Sequence, residues 1–282
     1  GYGRERSIMT SVRERKYVGT SQRKADAFER VTGQAKYAAD VYLQGMLHGK
    51  VLRSPYPHAK ISRLDCSEAL KFPGVKAVVT HDDLLSPNNG QLPGNITKLP
   101  ERIIAKKKTL FDGHAVAAVA AISPDIAEEA LNLIQVEYEE LPVLTSAIES
   151  MQANAPLLHE DLFTVTLGEP AEKPSNVAAY IEDGRGDIAV GFSKAHAIVE
   201  ETFETHMVHQ GYLEPQACVV RVEGDGTINV WTSIQGIFNS QRDLATLFNV
   251  PSDRVIVHPM EIGGGFGGKE FPYLEALAIV ML

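Results

Sequence analysis

The feature that most constrains the fold is a series of short segments, rich in β-branched and small apolar residues, separated by proline and glycine turns. Segments of this length and composition are typical of β-strands, and dipeptides such as Pro73-Gly74 and Asp112-Gly113 end them. One helix interrupts the series, since Ser123 can cap it, Pro124 suits its first position and AEEALNLI follows with helical spacing. We therefore predict an α+β fold that begins with a mixed α/β domain over residues 25–144. Its predicted strands are residues 47–54, 59–66, 75–80, 114–122 and 134–141.

The rest of the chain divides into an arm, a linker and a second domain. Residues 1–24 are polar and basic without periodicity, which indicates an N-terminal arm. Residues 145–186 carry several prolines and glycines with little apolar periodicity, so we predict a linker there. In residues 187–282, Asp187 is predicted to cap a helix, and Asp225-Gly226 to join two strands as a hairpin. The further predicted elements are strands at residues 198–206, 216–224, 227–234 and 254–260 and a helix at residues 241–248.

The last residues, LEALAIVML, form a strongly apolar run with helical character that stops without a capping residue or a helix breaker. An apolar helix face without a cover is typical of a core that further polypeptide completes. We therefore expect residues 187–282 to be the truncated first part of a larger domain.

Charge and cysteine content exclude several classes of function. The net charge of −9 and the pI near 5.5 leave no basic face for phosphate groups, so nucleic acid binding is not expected. Cys66 and Cys218 lie far apart and outside any Cys-x-x-Cys spacing, so no disulfide framework, zinc site or iron-sulfur cluster is predicted on this chain. No apolar run approaches the length of about 20 residues that crosses a bilayer, and we expect a reducing, cytoplasmic location without membrane association.

A glycine-rich stretch, EIGGGFGGKEFPY, contains five glycines among the eight residues from Gly263 to Glu270. It matches both G-x-G-x-x-G and G-x-x-x-x-G-K, so a nucleotide-binding loop over residues 263–269 is one hypothesis. Glu270 occupies the place of the Ser or Thr that holds magnesium in a phosphate-binding loop, which argues against that hypothesis. The stretch also comes too late in the chain for a Rossmann fingerprint, whose acidic residue follows about 20 positions further on.

Longer stretches around these glycines carry a more specific resemblance. GGGFGGKE, preceded by WTSIQGIFNSQ and HQGYLEP, resembles the molybdopterin-binding region of the xanthine dehydrogenase and aldehyde oxidase family. Residues 24–61 and 113–144, with GVKAVVTHDDL between them, resemble the α/β hammerhead domain of that family nearly from end to end. The resemblance implies a hammerhead domain and the first part of a molybdopterin-binding domain. It also implies a hydroxylase that oxidises a purine-like heterocycle or an aldehyde with oxygen derived from water.

The same resemblance implies roles for particular residues. Gln235 matches the family glutamine that donates its amide to an oxygen ligand of molybdenum, and the backbone of Gly265, Phe266 and Gly267 matches the part that contacts the pterin. Glu270 matches a glutamate that faces the substrate in purine-hydroxylating members. A glutamate favoured by a helix N-terminus is the competing interpretation. No side chain is expected to bind the metal directly.

Three further positions need interpretation beside that pattern. Where family members often have Gly-Gln-Pro or Gly-Glu-Pro, this chain has His114 at the central position, whose neutral imidazole can still donate one hydrogen bond. Glu214, in YLEP, is interpreted as structural rather than catalytic. His206 and His209 are interpreted as surface histidines rather than metal ligands, because no complete ligand set accompanies them.

Cofactors and partners follow from the resemblance as expectations. The cofactor is expected to be molybdenum on molybdopterin, in the cytosine dinucleotide form usual in bacterial members, with 2Fe-2S clusters and FAD on partner chains. The expected partners are an Fe-S subunit, an FAD subunit, the remaining segment of the molybdopterin domain and a small-molecule substrate. The catalytic base is expected beyond Leu282, so the isolated chain is expected to be inactive. The competing hypotheses are a nucleotide-binding protein that uses residues 263–269 and a non-catalytic scaffold or assembly subunit of the same fold.

Overall fold

The computed structural model describes residues 16–84 and 99–282, and these residues fall into two compact units that divide between Lys36 and Tyr37. The described part of the first unit contains helix α1 (Ala27–Val31), at whose start Asp26 forms an ion pair of 2.8 Å with Arg30. The predicted N-terminal arm falls largely outside the described residues, because these begin at residue 16.

The second unit begins with two antiparallel three-stranded sheets. The five strands predicted for this region are confirmed. The strands are β1 (His48–Arg53), β2 (Ala59–Asp65), β3 (Val75–Val79), β4 (Lys108–Thr109), β5 (Ala115–Ala121) and β6 (Gln135–Glu140). The first sheet has the order β1-β5-β3 and the second the order β4-β2-β6. The helices are α2 (Ser67–Lys71), α3 (Leu99–Ile103) and α4 (Pro124–Leu131).

Helix α4 begins where the sequence predicts it. The Ser123 hydroxyl oxygen accepts a hydrogen bond of 3.2 Å from the backbone N–H of Ile126, and Pro124 occupies the first helical turn. Ala127 and Ala130 are fully buried against strand β5, all of whose residues are buried alanines and valines. Small residues along β5 allow close packing on both faces of the sheet, so this strand lies at the centre of the domain.

The predicted linker, residues 145–186, contains more regular structure than its composition indicates. Helix α5 (Ala147–Ser150) is followed by strands β7 (Phe163–Thr166), β8 (Glu169–Pro174) and β9 (Ala179–Tyr180), which form a small sheet in the order β8-β7-β9. Two prolines lie in β8, which is an edge strand and therefore tolerates residues without an N–H donor. The prolines of β8 therefore lie at the edge of a sheet and not in a connecting segment.

The C-terminal part of the second unit contains a fourth sheet, formed in this order by β10 (Cys218–Val222), β11 (Ile228–Thr232) and β12 (Val255–Pro259). Strands β10 and β11 are antiparallel, and β11 and β12 are parallel. The predicted hairpin is confirmed, and Gly226 in its turn has a φ of 84°. The predicted cap is also present, since the Asp187 carboxylate accepts a bond of 3.0 Å from the Val190 N–H. The helices of this part are α6 (Ile188–Ser193), α7 (Ile237–Leu247) and α8 (Tyr273–Met281).

The strand predicted at residues 198–206 is wrong for this structure, in which these residues form neither strand nor helix. Their β-branched composition satisfies the local criterion for a strand. A strand also needs a neighbour that accepts and donates its backbone hydrogen bonds, and no described segment pairs with these residues. Their apolar side chains are consequently exposed, and Phe203 is 90% exposed.

Helix α8 joins the first and last parts of the second unit, because it packs on β10 and also on β3, β5 and α3. One hydrophobic core accordingly combines Val79 and Ala118 with Leu244, Val255 and Leu277. Within the described ranges, the helices are too short or too polar to cross a membrane. The glycine-rich stretch connects β12 to α8, so this shared core supports both of its ends.

Candidate functional site

The glycine-rich stretch forms a compact loop with several residues in the left-handed region of backbone conformation. Gly264 and Gly267 have φ values of 98° and 87°, which glycine adopts readily. Phe266, between them, has a φ of 50°, a conformation that costs a residue with a Cβ atom about 1 kcal/mol or more. The Phe266 side chain is 73% exposed. The tip of the loop therefore presents strained backbone at the surface.

Three of the glycines are required because other parts of the chain touch their backbone. A Cβ atom on Gly263 would lie 2.5 Å from Glu214 Cβ, and one on Gly265 would lie 2.5 Å from Gln235 Oε1. A Cβ atom on Gly268 would lie 2.7 Å from Tyr212 Cε1. Real Cβ atoms essentially never make contacts below 3.0 Å, so a larger residue at any of these positions would force Glu214, Gln235 or Tyr212 to shift.

Gln235 is fastened to the loop at three points. Its backbone N–H donates to the Lys269 carbonyl at 2.8 Å, and its Oε1 accepts from the N–H groups of Gly267 at 3.0 Å and Lys269 at 3.3 Å. Two backbone donors at one atom identify that atom as the amide oxygen. The Nε2 group belongs to an exposed residue and makes no hydrogen bond to the described residues. Two amide donors are available there to an external acceptor.

Glu270 lies beside Gln235 on the same exposed face. The Lys269 carbonyl to which Gln235 donates immediately precedes it, and its Oε2 is 3.5 Å from the Cβ position of Gly236, the N-cap of α7. A carboxylate at a helix N-terminus is favoured by the helix dipole, so the competing interpretation of Glu270 also accounts for its position. The structure thus brings together Gln235, Gly265, Phe266, Gly267 and Glu270, the residues that the resemblance singled out.

Lys269, which the phosphate-loop hypothesis would place on a nucleotide, is turned into the protein. Its side chain is 1% exposed, and its Nζ donates to Glu214 Oε2 at 2.7 Å. The same Nζ lies 5.0 Å from the centre of the Tyr212 ring. A lysine in this position cannot reach a phosphate at the loop surface. The geometry therefore argues against a nucleotide site at residues 263–269.

Gln216 and Arg102, which the sequence does not identify as functional, contact the loop or the residues that directly follow it. Gln216 Nε2 donates to the Gly268 carbonyl at 2.9 Å. The Arg102 guanidinium, from the first part of the second unit, lies 4.6 Å from the Phe271 ring centre and 5.8 Å from that of Tyr273. The signal that could have identified Gln216 was its position directly after HQGYLEP. Arg102 gave no local signal, because its role depends on a long-range contact.

His114 is fully buried and lies within the first part of the second unit. Its Nδ1 accepts from the Leu110 N–H at 3.2 Å, so its Nε2 carries the proton and donates to the Glu101 carbonyl at 2.8 Å. Burial is the main cause that lowers the pKa of His114 below its ordinary value. Both ring nitrogens are thus engaged within the protein, which leaves no donor for a cofactor.

The described residues contain no group of three or more His, Cys, Asp or Glu side chains that could hold a metal ion. His206 and His209 are exposed. Burial raises the pKa of the Cys66 and Cys218 thiols, which disfavours reactive thiolates at either position. The amide and backbone N–H donors of the exposed face suit an oxygen-rich anionic group.

Comparisons with known proteins are consistent with a binding site for such a group. A family model described as "Aldehyde oxidase and xanthine dehydrogenase, a/b hammerhead domain" matches residues 32–142, and one described as "Molybdopterin cofactor-binding domain" matches residues 169–282. A probable xanthine dehydrogenase subunit of Bacillus subtilis (strain 168) is 35% identical, over 92% of this chain and 33% of that protein. The nicotinate dehydrogenase large molybdopterin subunit of Eubacterium barkeri is 32% identical, over 89% of this chain and 55% of that protein.

Solved structures give the same result. The reconstituted CO dehydrogenase from Oligotropha carboxidovorans is similar with a TM-score of 0.76 and 29% identity, over 93% of this chain and 34% of that one. The aldehyde oxidoreductase from Desulfovibrio gigas is similar with a TM-score of 0.71 and 27% identity, over 91% of this chain and 28% of that one. The chain thus spans about a third of the length of most of these relatives and about half of the nicotinate dehydrogenase subunit.

Proposed function

This chain belongs to the xanthine dehydrogenase and aldehyde oxidase family of molybdenum hydroxylases, and from that premise we propose that it forms part of a molybdenum-cofactor catalytic subunit. The observation that carries the proposal is that two loop N–H groups bind Oε1 of the exposed Gln235, while its Nε2 makes no hydrogen bond to the described residues. The proposed reaction is the hydroxylation of an electron-poor carbon in a heterocycle or an aldehyde. Water supplies the oxygen, and two electrons and two protons leave.

When bound, the molybdenum cofactor would supply the oxygen-transfer and two-electron chemistry of the reaction. Gln235 would hold it by donating from Nε2 to an oxygen ligand, a neutral contact that does not change with pH. The loop at Gly265, Phe266 and Gly267 would place backbone against the pterin, and its two glycines have no Cβ atom to hinder that approach. Glu270, on the same face, would hydrogen-bond a heterocycle nitrogen of the substrate or stabilise the charge that accumulates on that nitrogen during attack.

The finer parts of the proposal concern the form of the cofactor and its partners. We propose the cytosine dinucleotide form of molybdopterin, with electrons leaving through 2Fe-2S clusters and FAD on partner chains. Several relatives are described as one subunit or one large chain of a dehydrogenase, which supports assembly with other chains in general. The two free cysteines of this chain are compatible with the reducing, cytoplasmic compartment that we propose for it.

Molybdenum and pterin content test the proposal directly. The complete protein, purified with its partner chains, should contain close to one molybdenum per copy by elemental mass spectrometry. The oxidised pterin should be detected by fluorescence and its cytosine nucleotide by chromatography after hydrolysis. Purine-like heterocycles and aldehydes should then reduce an artificial electron acceptor. A protein with neither molybdenum nor pterin would contradict the proposal.

A further inference from the structure

We propose that the buried ion pair between Glu214 and Lys269 is a positioning device that holds the glycine-rich loop and thereby orients the Gln235 amide. The consequence for the cofactor rests on the proposed function above, whereas the effect on the loop does not. The two side chains are 12% and 1% exposed, and Lys269 Nζ lies 2.7 Å from Glu214 Oε2. This is the most buried ion pair between side chains that the described part of the chain contains.

Glu214 fastens the beginning of the loop. Its Oε2 accepts from the Gly263 N–H at 2.7 Å, in addition to the lysine, and its own backbone N–H donates to the Gly263 carbonyl at 3.2 Å. Gly263 is therefore bonded to Glu214 through both of its backbone polar groups. The absence of a Cβ atom on Gly263 is what permits this approach, since such an atom would lie 2.5 Å from Glu214 Cβ.

Lys269 fastens the end of the loop and connects it to Gln235. Its side chain reaches Glu214, while its N–H donates to Gln235 Oε1 at 3.3 Å and its carbonyl accepts from the Gln235 N–H at 2.8 Å. One residue thus joins the ion pair to the glutamine through covalent and hydrogen bonds. A shift of Lys269 would move both the backbone and the side-chain oxygen of Gln235, and with them the direction of Nε2.

The charge of the pair matters because both groups are removed from water. A buried ammonium without its carboxylate is strongly destabilising, whereas replacing both partners with neutral groups is often tolerated. Tyr212 adds a ring face 5.0 Å from the lysine Nζ but no negative charge. Exposed ion pairs contribute little to stability. Lys60 and Glu139 form such a pair, with side chains that are 58% and 62% exposed, so breaking it should have little effect on the stability of the protein.

The test uses the complete protein with its partner chains and three variants. Glu214→Gln keeps an acceptor for the Gly263 N–H and removes the charge opposite Lys269. The double variant Glu214→Gln/Lys269→Met removes both charges, and Glu139→Gln breaks an exposed pair as a matched control. Two quantities are measured: hydrogen–deuterium exchange of peptides covering residues 262–271 in protein prepared without molybdenum, and molybdenum per copy in protein prepared with it.

We expect Glu214→Gln to accelerate exchange in the loop at least about tenfold and to lower molybdenum content at least about fivefold. Glu139→Gln should leave both quantities unchanged. The double variant should return loop exchange to within about threefold of the wild type, because no buried charge is then unpaired.

Several results would overturn the proposal. One such result is unchanged hydrogen–deuterium exchange of the loop in Glu214→Gln. Another is equal acceleration of exchange in all peptides, because the ion pair would then stabilise the whole fold rather than the loop. A double variant as impaired as the single one would exclude charge as the cause. A loosened loop with full molybdenum content would exclude the role at the cofactor. If the wild type itself holds neither molybdenum nor pterin, the proposed function fails, and the exchange comparison still decides the effect on the loop.

Discussion

At the scale of single residues, the amide oxygen and the amide nitrogen of Gln235 have separate roles. The oxygen accepts hydrogen bonds from two loop N–H groups, and the nitrogen makes no hydrogen bond to the described residues, so its donors are available. A carboxylate at this position can still accept from the loop but cannot donate. An alanine can do neither, so two loop N–H groups would lose their acceptor. The two substitutions therefore separate loop support from contact with a cofactor.

Gln235→Glu should keep the conformation of the loop and remove the Nε2 donor. We expect hydroxylase activity of the complete protein to fall by about 10²- to 10³-fold, as for the loss of one preorganised donor. Gln235→Ala should in addition lower molybdenum content, because the loop N–H groups lose their acceptor. Steady-state kinetics and elemental mass spectrometry on both variants check this. Equal molybdenum loss in the two variants would show that the tasks are not separate.

Gly265 provides a second residue-level prediction. A Cβ atom at this position would lie 2.5 Å from Gln235 Oε1, so Gly265→Ala should displace the glutamine and lower activity by about 10²-fold. Gly224→Ala is the matched control, because a Cβ atom at Gly224 has no neighbour within 4 Å and its φ is outside the left-handed region. Activity of the two variants is compared at equal protein concentration. Wild-type activity in Gly265→Ala would contradict the packing described for the loop.

At the scale of elements, helix α8 carries a buried carboxyl group. Glu275 is 6% exposed and accepts a hydrogen bond from the Thr232 hydroxyl of β11. Burial is the main cause that raises the pKa of Glu275 above its ordinary value, while the Thr232 bond opposes the rise. Between the unfolded and folded pKa values the folded state holds a proton that the unfolded state has released. Stability is therefore highest below the unfolded pKa and falls as pH rises through the folded pKa.

Glu275→Gln should remove this pH dependence, because the amide keeps an acceptor for Thr232 and does not titrate. The stability of the variant relative to the wild type should increase with pH above the ordinary glutamate pKa, by up to about 1.4 kcal/mol per pH unit. Urea denaturation at a series of pH values measures this difference. Glu128→Gln, at a side chain that is 68% exposed, serves as the control. A constant difference across the series would show that Glu275 titrates normally.

At the scale of the whole molecule, residues 37–282 share one core although the sequence predicts two domains within them. Leu277 of α8 is 2% exposed and belongs to the same hydrophobic cluster as Val79 and Ala118 of the first sheet. A core shared in this way couples the unfolding of both parts. The loop that presents Gln235 is therefore supported by packing that extends into the first domain.

Leu277→Ala should test this coupling. Removing a buried leucine side chain is expected to cost about 2–5 kcal/mol, and both parts of the second unit should lose stability together. Urea denaturation followed by fluorescence of Trp231, the single tryptophan, and by circular dichroism should give coincident transitions at a lower midpoint. Leu70→Ala, at a residue that is 54% exposed, should shift the midpoint little. Separate transitions for the two probes would indicate that the parts unfold independently.

The sequence alone determined the features that depend on neighbouring residues in the chain. Ser123 and Pro124 mark the start of α4, Asp225-Gly226 marks a hairpin, and the strands of the first sheet follow from local composition. These predictions succeeded because capping, turn conformation and strand propensity act over a few residues. The resemblance of the glycine-rich stretch and of Gln235 to a family pattern likewise required no structure.

Only the tertiary structure decided which groups face outward at the loop and which face the core. The inward position of Lys269 depends on Glu214, a partner distant in sequence, and the direction of the Gln235 amide depends on two N–H groups of the loop. The segment at residues 198–206 has strand composition but no partner strand among the described residues. Burial, ion pairing and sheet pairing are properties of two segments in contact, so the composition of one segment cannot determine them.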